Sequence, residues 1–331
     1  MRSIRIGRTK LVAPNLAFLP YRLHHGVKRF RLVAEPVEQT LMSGVTIRAW
    51  GYNGSTPGPV ILVNQGDRVQ IVFTNRLPEE TSVHWHGLIV PSEVDGVPGI
   101  GAGPVVKPGE TYVYDFVIHQ CGTFMYHSHK MDAKQEMMGL AGMIVSLPSH
   151  LTTDREYIIL LQEWAVQTGT DMNMGGMKMD TAQSSMKMGS TEVPMVHQMT
   201  GDSHGSPQVF DINPMSMDFN YFTMNGKVFP ETEPLRVRYG ENVRIRLGNL
   251  SMDSHPMHLH GHEYRVVASD GSNIPVPWFK NTINVAPGET WDIEFKANNP
   301  GTWAFHCHKP HHTTNEHKTE MGGMFTVVRY V

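Results

Sequence analysis

The chain contains two copies of one pattern. PVILVNQGDRVQIVFTNRLPEETSVHWHG at 59–87 sets Gly66 and His84 where PLRVRYGENVRIRLGNLSMDSHPMHLHG at 234–261 sets Gly240 and His258, each pair 174 residues apart. Further on, VKPGETYVYDFVIHQCGTFMYHSH at 106–129 matches VAPGETWDIEFKANNPGTWAFHCH at 285–308 with an offset of 179. A duplication of this length requires two structural units built on one plan. Within each copy, polar and apolar residues alternate over short stretches such as Arg68–Phe73 and Thr111–Val117. Pro-Gly turns, KPGE and APGE, break these runs. That pattern belongs to half-buried antiparallel strands. The sequence therefore predicts an all-β chain of two β-sandwich domains, 1–150 and 151–331.

Between the copies lies a polar, Gly-rich stretch with no usable period, read as an insertion in the second domain at about 168–217. Eleven methionines fall from Met172 to Met224, several two or three apart, and thioethers suit copper(I).

The repeats carry four His-X-His units, two per half: His84/His86, His127/His129, His258/His260 and His306/His308. On a strand, residues two apart share a face but stand roughly 6.6 Å apart along it. Each pair thus serves two neighbouring metals better than one, and four pairs converging would supply eight imidazoles to a cluster of two or three ions. A single such unit is commonly a pair of polar residues on a wet strand, but recurrence at equivalent places in both repeats is not explained that way.

Cys307 projects opposite His306 and His308 by the same alternation, so it can bind one metal while its covalent neighbours bind others. A thiolate, two imidazoles and a distant thioether make a blue-copper electron-transfer set. His255 in HPMHLHGH and His312 in HCHKPHH supply the imidazoles, and Met321 in EMGGMF the thioether, with Met324 second. In the first half the positions of His255, Cys307 and His312 hold Thr81, Ser128 and Ala133, so this site belongs to the second half alone.

HWHG, HSH, HPMHLHGH and HCH followed by a histidine resemble the four copper-binding motifs of the multicopper oxidases, the laccase family. The likeness covers nearly all of both halves outside the methionine-rich stretch. It implies two cupredoxin-like Greek-key β-sandwich or barrel domains, in the two-domain arrangement with the type 1 copper in the second. It also implies four coppers per chain: one type 1, one type 2 and two type 3. Carried over, His84 and His258 bind the type 2 copper. His86, His127, His129, His260, His306 and His308 bind the type 3 pair. His255, Cys307, His312 and Met321 form type 1, although the family's usual axial position, ten residues after the cysteine, is His317 here. Asp95, in HWHGLIVPSEVDGVPG, matches the acidic residue that assists proton delivery. The implied activity is one-electron oxidation of phenols, aromatic amines or cuprous ion, with O2 reduced to water, in a homotrimer whose trinuclear clusters lie between subunits.

Two other functions compete. A copper nitrite reductase also has two cupredoxin domains, but carries its blue site in the first and needs fewer histidines. A non-catalytic copper-binding or resistance protein would need the methionines and not the Cys307 arrangement. The formal charge of -3 and pI near 6.7 give no basic field for nucleic acid. No run of about 18 apolar residues spans a membrane. The first residues lack the apolar core of a secretory signal, and an extracytoplasmic compartment is implied by the resemblance alone. Cys121 and Cys307 are the two cysteines. With Cys307 on a metal, Cys121 is expected to be a free thiol.

Overall fold

A computed structural model describes residues 3–100, 103–168 and 208–331. The methionines from Met172 to Met199 lie outside the described residues. The architecture is all-β, with a cupredoxin-like sandwich in each half. Among the described residues no helix is long and apolar enough to cross a membrane.

In the first half, Val45–Tyr52, Val27–Met42, Arg68–Asn75 and Thr111–Val117 lie side by side and face a sheet of Ile61–Asn64, Ala141–Leu147 and Gly122–His127. Arg68–Asn75 alternates buried residues with exposed or half-buried ones along its length and pairs antiparallel with Thr111–Val117, Arg68 opposite Val117. The inward residues, among them Phe30, Leu32, Ile71, Phe73 and Tyr114, close a core around Trp85. Each such large side chain contributes about 1.5–3 kcal/mol on burial.

The second half repeats the plan. Asn242–Asn249 pairs antiparallel with Thr290–Lys296, as Arg68–Asn75 does with Thr111–Val117. Opposite them a five-stranded sheet runs Leu235–Val237, Phe325–Tyr330, Thr302–Cys307, His255–Leu259, Thr282–Val285.

Two short strands cross the division at residue 150. Thr9–Val12 pairs in parallel with Arg155–Trp164 of the second half, and Gln208–Asp211 pairs in parallel with Val45–Tyr52 of the first. The halves also share buried surface: Met125, Met143 and Val145 pack with Ile158, Leu160 and Leu250. Beside this contact sits a fully buried charge group. Arg246 bonds Glu156 at 2.7 Å, Asp292 at 2.7 Å and the Thr123 hydroxyl of the first half at 2.8 Å. Thr123 in turn donates to Asp292 at 2.6 Å, so the cluster fixes the two halves against each other.

Removing a partner from a buried ion group leaves its charges uncompensated, at about 3–5 kcal/mol. Arg246→Ala is therefore expected to lower the urea-unfolding free energy by that amount, whereas Arg244→Ala, at a more exposed guanidinium, should cost less.

Candidate metal centres

The middle residue of every His-X-His unit is buried: Trp85, Ser128, Leu259 and Cys307 are at most 1% exposed. Each pins its strand by pointing into a core, and alternation turns the flanking histidines to the other face. In the second half one register sets the arrangement. Met257 faces Cys307 and His258 faces His306 across the antiparallel pair.

Behind that sheet, His255, Cys307 and His312 converge, all buried. The two Nδ1 atoms are 3.1 Å apart, and Cys307 Sγ lies 3.6 Å from that of His312 and 3.9 Å from that of His255. The outer nitrogens are held away from the centre, His255 Nε2 by the Ser251 hydroxyl at 2.8 Å and His312 Nε2 by Asp253 at 3.3 Å. Phe222 stacks on His312 at 3.9 Å. Burial, aided by His312, pushes the pKa of His255 well down. Burial and Lys309 take His312 to about 4, and burial raises the Cys307 thiol to about 12. Both imidazoles are thus neutral and ready to ligate, while the thiol must surrender its proton to a metal. This dry set of one soft sulfur and two aimed nitrogens fits a copper ion.

The thioether expected from Met321 is not brought here. Met321 is 53% exposed, because the loop after His312 turns outward through Glu316 and His317, both at positive φ, before returning at Gly322 and Gly323. Met324 is fully buried in the same apolar cluster as Cys307. Its carbonyl accepts the Cys307 N–H at 3.0 Å and its own N–H donates to the His312 carbonyl at 2.8 Å, so its backbone bonds directly to two of the three ligand residues.

Among the described residues the first half brings no such triad together. Thr81 and Ser128, both buried, donate to Gln135 Oε1 at 2.8 and 2.6 Å, and a closed hydrogen-bond knot stands in place of the triad.

The eight remaining histidines form two separate groups. His84, His86, His127 and His129 have ring centroids 5.3–6.2 Å apart in contacting pairs. His258, His260, His306 and His308 form the second group at 4.7–5.8 Å. Among the described residues, no ring contact joins one group to the other. The first is largely covered; in the second, His260 and His308 are exposed.

In both groups backbone oxygens fix which nitrogen is free. His84 Nδ1 donates to the Asp95 carbonyl at 2.9 Å, His258 Nδ1 to the Asn281 carbonyl at 2.7 Å, and His306 Nδ1 to the Cys307 carbonyl at 2.8 Å. Their Nε2 atoms remain as ligands. His86 Nδ1 faces His127 Nε2 at 3.2 Å, and His260 Nε2 faces His306 Nε2 at 3.0 Å. In each pair the two nitrogens are close enough to ligate one cation. Burial and the neighbouring His127 lower His86 to a pKa of about 4, which keeps it neutral.

Asp95 sits beside the first histidine group. Its carboxylate is 3.4 Å from His84 Nδ1, and Gly96 at φ +81 packs so near Val83 that any Cβ would stand 1.8 Å from that carbonyl. Only glycine allows the loop this approach. Two other carboxylates escaped the sequence reading: Glu136 at 3.1 Å from His127 Nδ1 and Asp132 at 3.3 Å from His129 Nδ1. Burial opposes charge on His127, but Glu136 outweighs it and raises the pKa. Neither acid has an equivalent in the second half's histidine group, so the repeat gave no signal for them.

Comparison with known proteins agrees with this geometry. Residues 34–150 and 201–327 each match a family profile described as multicopper oxidase. Copper resistance protein A of Escherichia coli is 31% identical over 271 residues, covering 76% of this chain and 43% of that protein. Laccase-2 of Botryotinia fuckeliana is 32% identical over 77% of this chain and 41% of its own. The chain spans less than half the length of these curated relatives. Among solved structures, a blue copper oxidase from Nitrosomonas europaea superposes with a TM-score of 0.73 at 28% identity, covering 91% of this chain and 85% of that one.

Orienting partners of metal-bound histidines are typically worth about 10–100-fold in metal affinity. Glu136→Ala is expected to weaken copper binding at the first histidine group by that factor, with Glu136→Gln close to the parent. Competition with a chelator, followed by metal analysis, measures it.

Proposed function

The chain belongs to the multicopper oxidase family, and on that premise we propose that it is a laccase-like oxidase of small reductants, using O2 as acceptor. The observation that carries this reading is the position of Cys307: buried in the triad, yet covalently between His306 and His308 of the histidine group. Copper bound in the triad would supply one-electron oxidation, and copper held by the eight histidines would supply oxygen reduction. His255, Cys307 and His312 would hold that copper, with the thioether drawn from the buried Met324 in preference to the exposed Met321.

A cavity of about 510 Å³ beside the triad, lined by Phe219, Phe222, Asp253 and His312, gives a reductant access to the imidazole edge. Phenols, aromatic amines and cuprous ion are the proposed substrates. From Cys307 an electron has two short routes to His306: the backbone itself, and the hydrogen bond from His306 Nδ1 to the Cys307 carbonyl. Asp95, with its carbonyl on the His84 ring and its carboxylate close by, is proposed to relay protons taken up as oxygen becomes water.

The eight histidines occur as two groups of four with no ring contact between them among the described residues, and one group is open to solvent. The proposed active form is therefore a head-to-tail homotrimer in which the first domain, 1–150, of one copy meets the second domain, 151–331, of the next.

Two variants test the assignment. Cys307→Ser is expected to abolish the blue band at about 600 nm and reductant oxidation while leaving the other coppers in place; a variant that stays blue contradicts the triad. Asp95→Asn should slow reoxidation of the reduced enzyme by O2 about 100-fold or more, with little change in reduction of the blue centre by substrate. Unchanged reoxidation in a stopped-flow trace would remove Asp95 from the proton path.

A further inference from the structure

Among the described residues, Glu163 Oε2 is one of the few buried polar atoms with no hydrogen-bond partner. The side chain lies on the strand Arg155–Trp164, fully covered, and stands behind the triad rather than within it. Its other oxygen is firmly held. Oε1 accepts the backbone N–H groups of Met252 at 2.7 Å and Asp253 at 2.9 Å. This anchor fixes the turn that carries the outer partners of both imidazoles, Ser251 on His255 Nε2 and Asp253 on His312 Nε2. The pairing of strands also sets Phe222 opposite Glu163, and Phe222 is the ring stacked on His312.

The anchor uses one oxygen, and the second stands 3.8 Å from His255 Nε2. Orienting that ring does not require it. The Ser251 hydroxyl donates to Asn249 Oδ1 at 2.5 Å, so its oxygen is free to accept the His255 Nε2–H at 2.8 Å. What Oε2 adds is charge, and a carboxylate buried without a cation is costly. Among the described residues no lysine or arginine forms an ion pair with Glu163, whereas Asp253, the carboxylate beside His312, has Lys309 at 3.2 Å. The cation that would balance Glu163 belongs to the triad itself. Two positive charges on copper(II) less one on the thiolate leave one, which the carboxylate neutralises; with copper(I) and the thiolate nothing is left to neutralise.

We propose that Glu163 is a positioning residue of the triad and the counter-charge of its oxidised state: Oε1 fixes the turn behind both imidazoles, and Oε2 favours copper(II) over copper(I), which holds the reduction potential of the centre down. The inference rests on the reading of the triad as a blue copper site and names a residue that sets its driving force. In a dry interior such a charge acts on the metal through space, without ligating it.

Redox titration of the blue band in the copper-loaded full chain tests this, at a pH well above the value of about 7 to which burial raises the Glu163 carboxyl. Glu163→Gln keeps an oxygen for the Met252 and Asp253 N–H groups and removes the charge. Its blue band is expected to persist, with the equilibrium shifted about tenfold or more toward copper(I), an upward move of roughly 59 mV in potential. Glu163→Leu loses both charge and anchor, so the same upward shift is expected together with copper binding at the triad weakened about tenfold or more. A Gln variant at the parent's potential, or one that binds copper without the blue band, overturns the counter-charge. A Leu variant that binds copper as tightly as the parent overturns the anchor. A parent chain that binds copper in the triad and shows no blue band is a different failure, that of the blue-site reading.

Discussion

The antiparallel pairing of His255–Leu259 with Thr302–Cys307 sets both metal groups of the second half at once. With Met257 opposite Cys307, the odd-numbered residues His255 and Cys307 face the core and the even-numbered His258, His306 and His308 face out. A slip of one residue would send the thiol to the surface and the imidazoles into apolar packing. The register is held by what it buries: Met257, Leu259, Phe305 and Cys307 share one apolar cluster with Met324 and Val328. The proposed electron transfer between two centres thus depends on a property of any half-buried strand, two faces one residue apart. The first half uses the same register to place its own histidines. It fills the space behind them with Thr81, Ser128 and Gln135, so the two repeats have diverged at the positions that form the triad in the second half.

Much of this was legible in the sequence because it rests on short periods and on repetition. The alternation at Arg68–Phe73 and Thr111–Val117 gave strands that the structure pairs with each other, and at Thr81 and Ser128 the structure has a hydrogen-bond knot with Gln135. Met321 was not legible. Choosing between two methionines three residues apart depends on which way a loop turns, and the positive-φ residues Glu316 and His317 give no spacing signal of their own. Glu136 and Asp132 were missed for a related reason: they reach His127 and His129 from a short helical turn outside the repeat's matched segments. The exchange of strands Thr9–Val12 and Gln208–Asp211 between the halves is a long-range pairing, which local pattern cannot reveal.

The junction between halves is built differently from the faces that carry the histidines. Around Arg246 it is closed and its buried charges are paired, and it belongs to the folding of one chain. Around His258 the surface is open, with His260 and His308 exposed. The proposed ring of identical two-domain subunits would close that face.

Mixing two inactive variants tests that account directly. One variant carries His84→Ala and His127→Ala, the other His258→Ala and His306→Ala, so each copy has a ruined histidine group in a different half. If the cluster forms between the first half of one copy and the second half of another, co-assembly regenerates intact sites, at about one interface in four for random equal mixing. Oxygen uptake should then reappear at roughly that fraction of the parent rate, and neither variant alone should show it. Complete inactivity of properly co-assembled mixtures would place all eight histidines of a working cluster in a single chain and contradict the account.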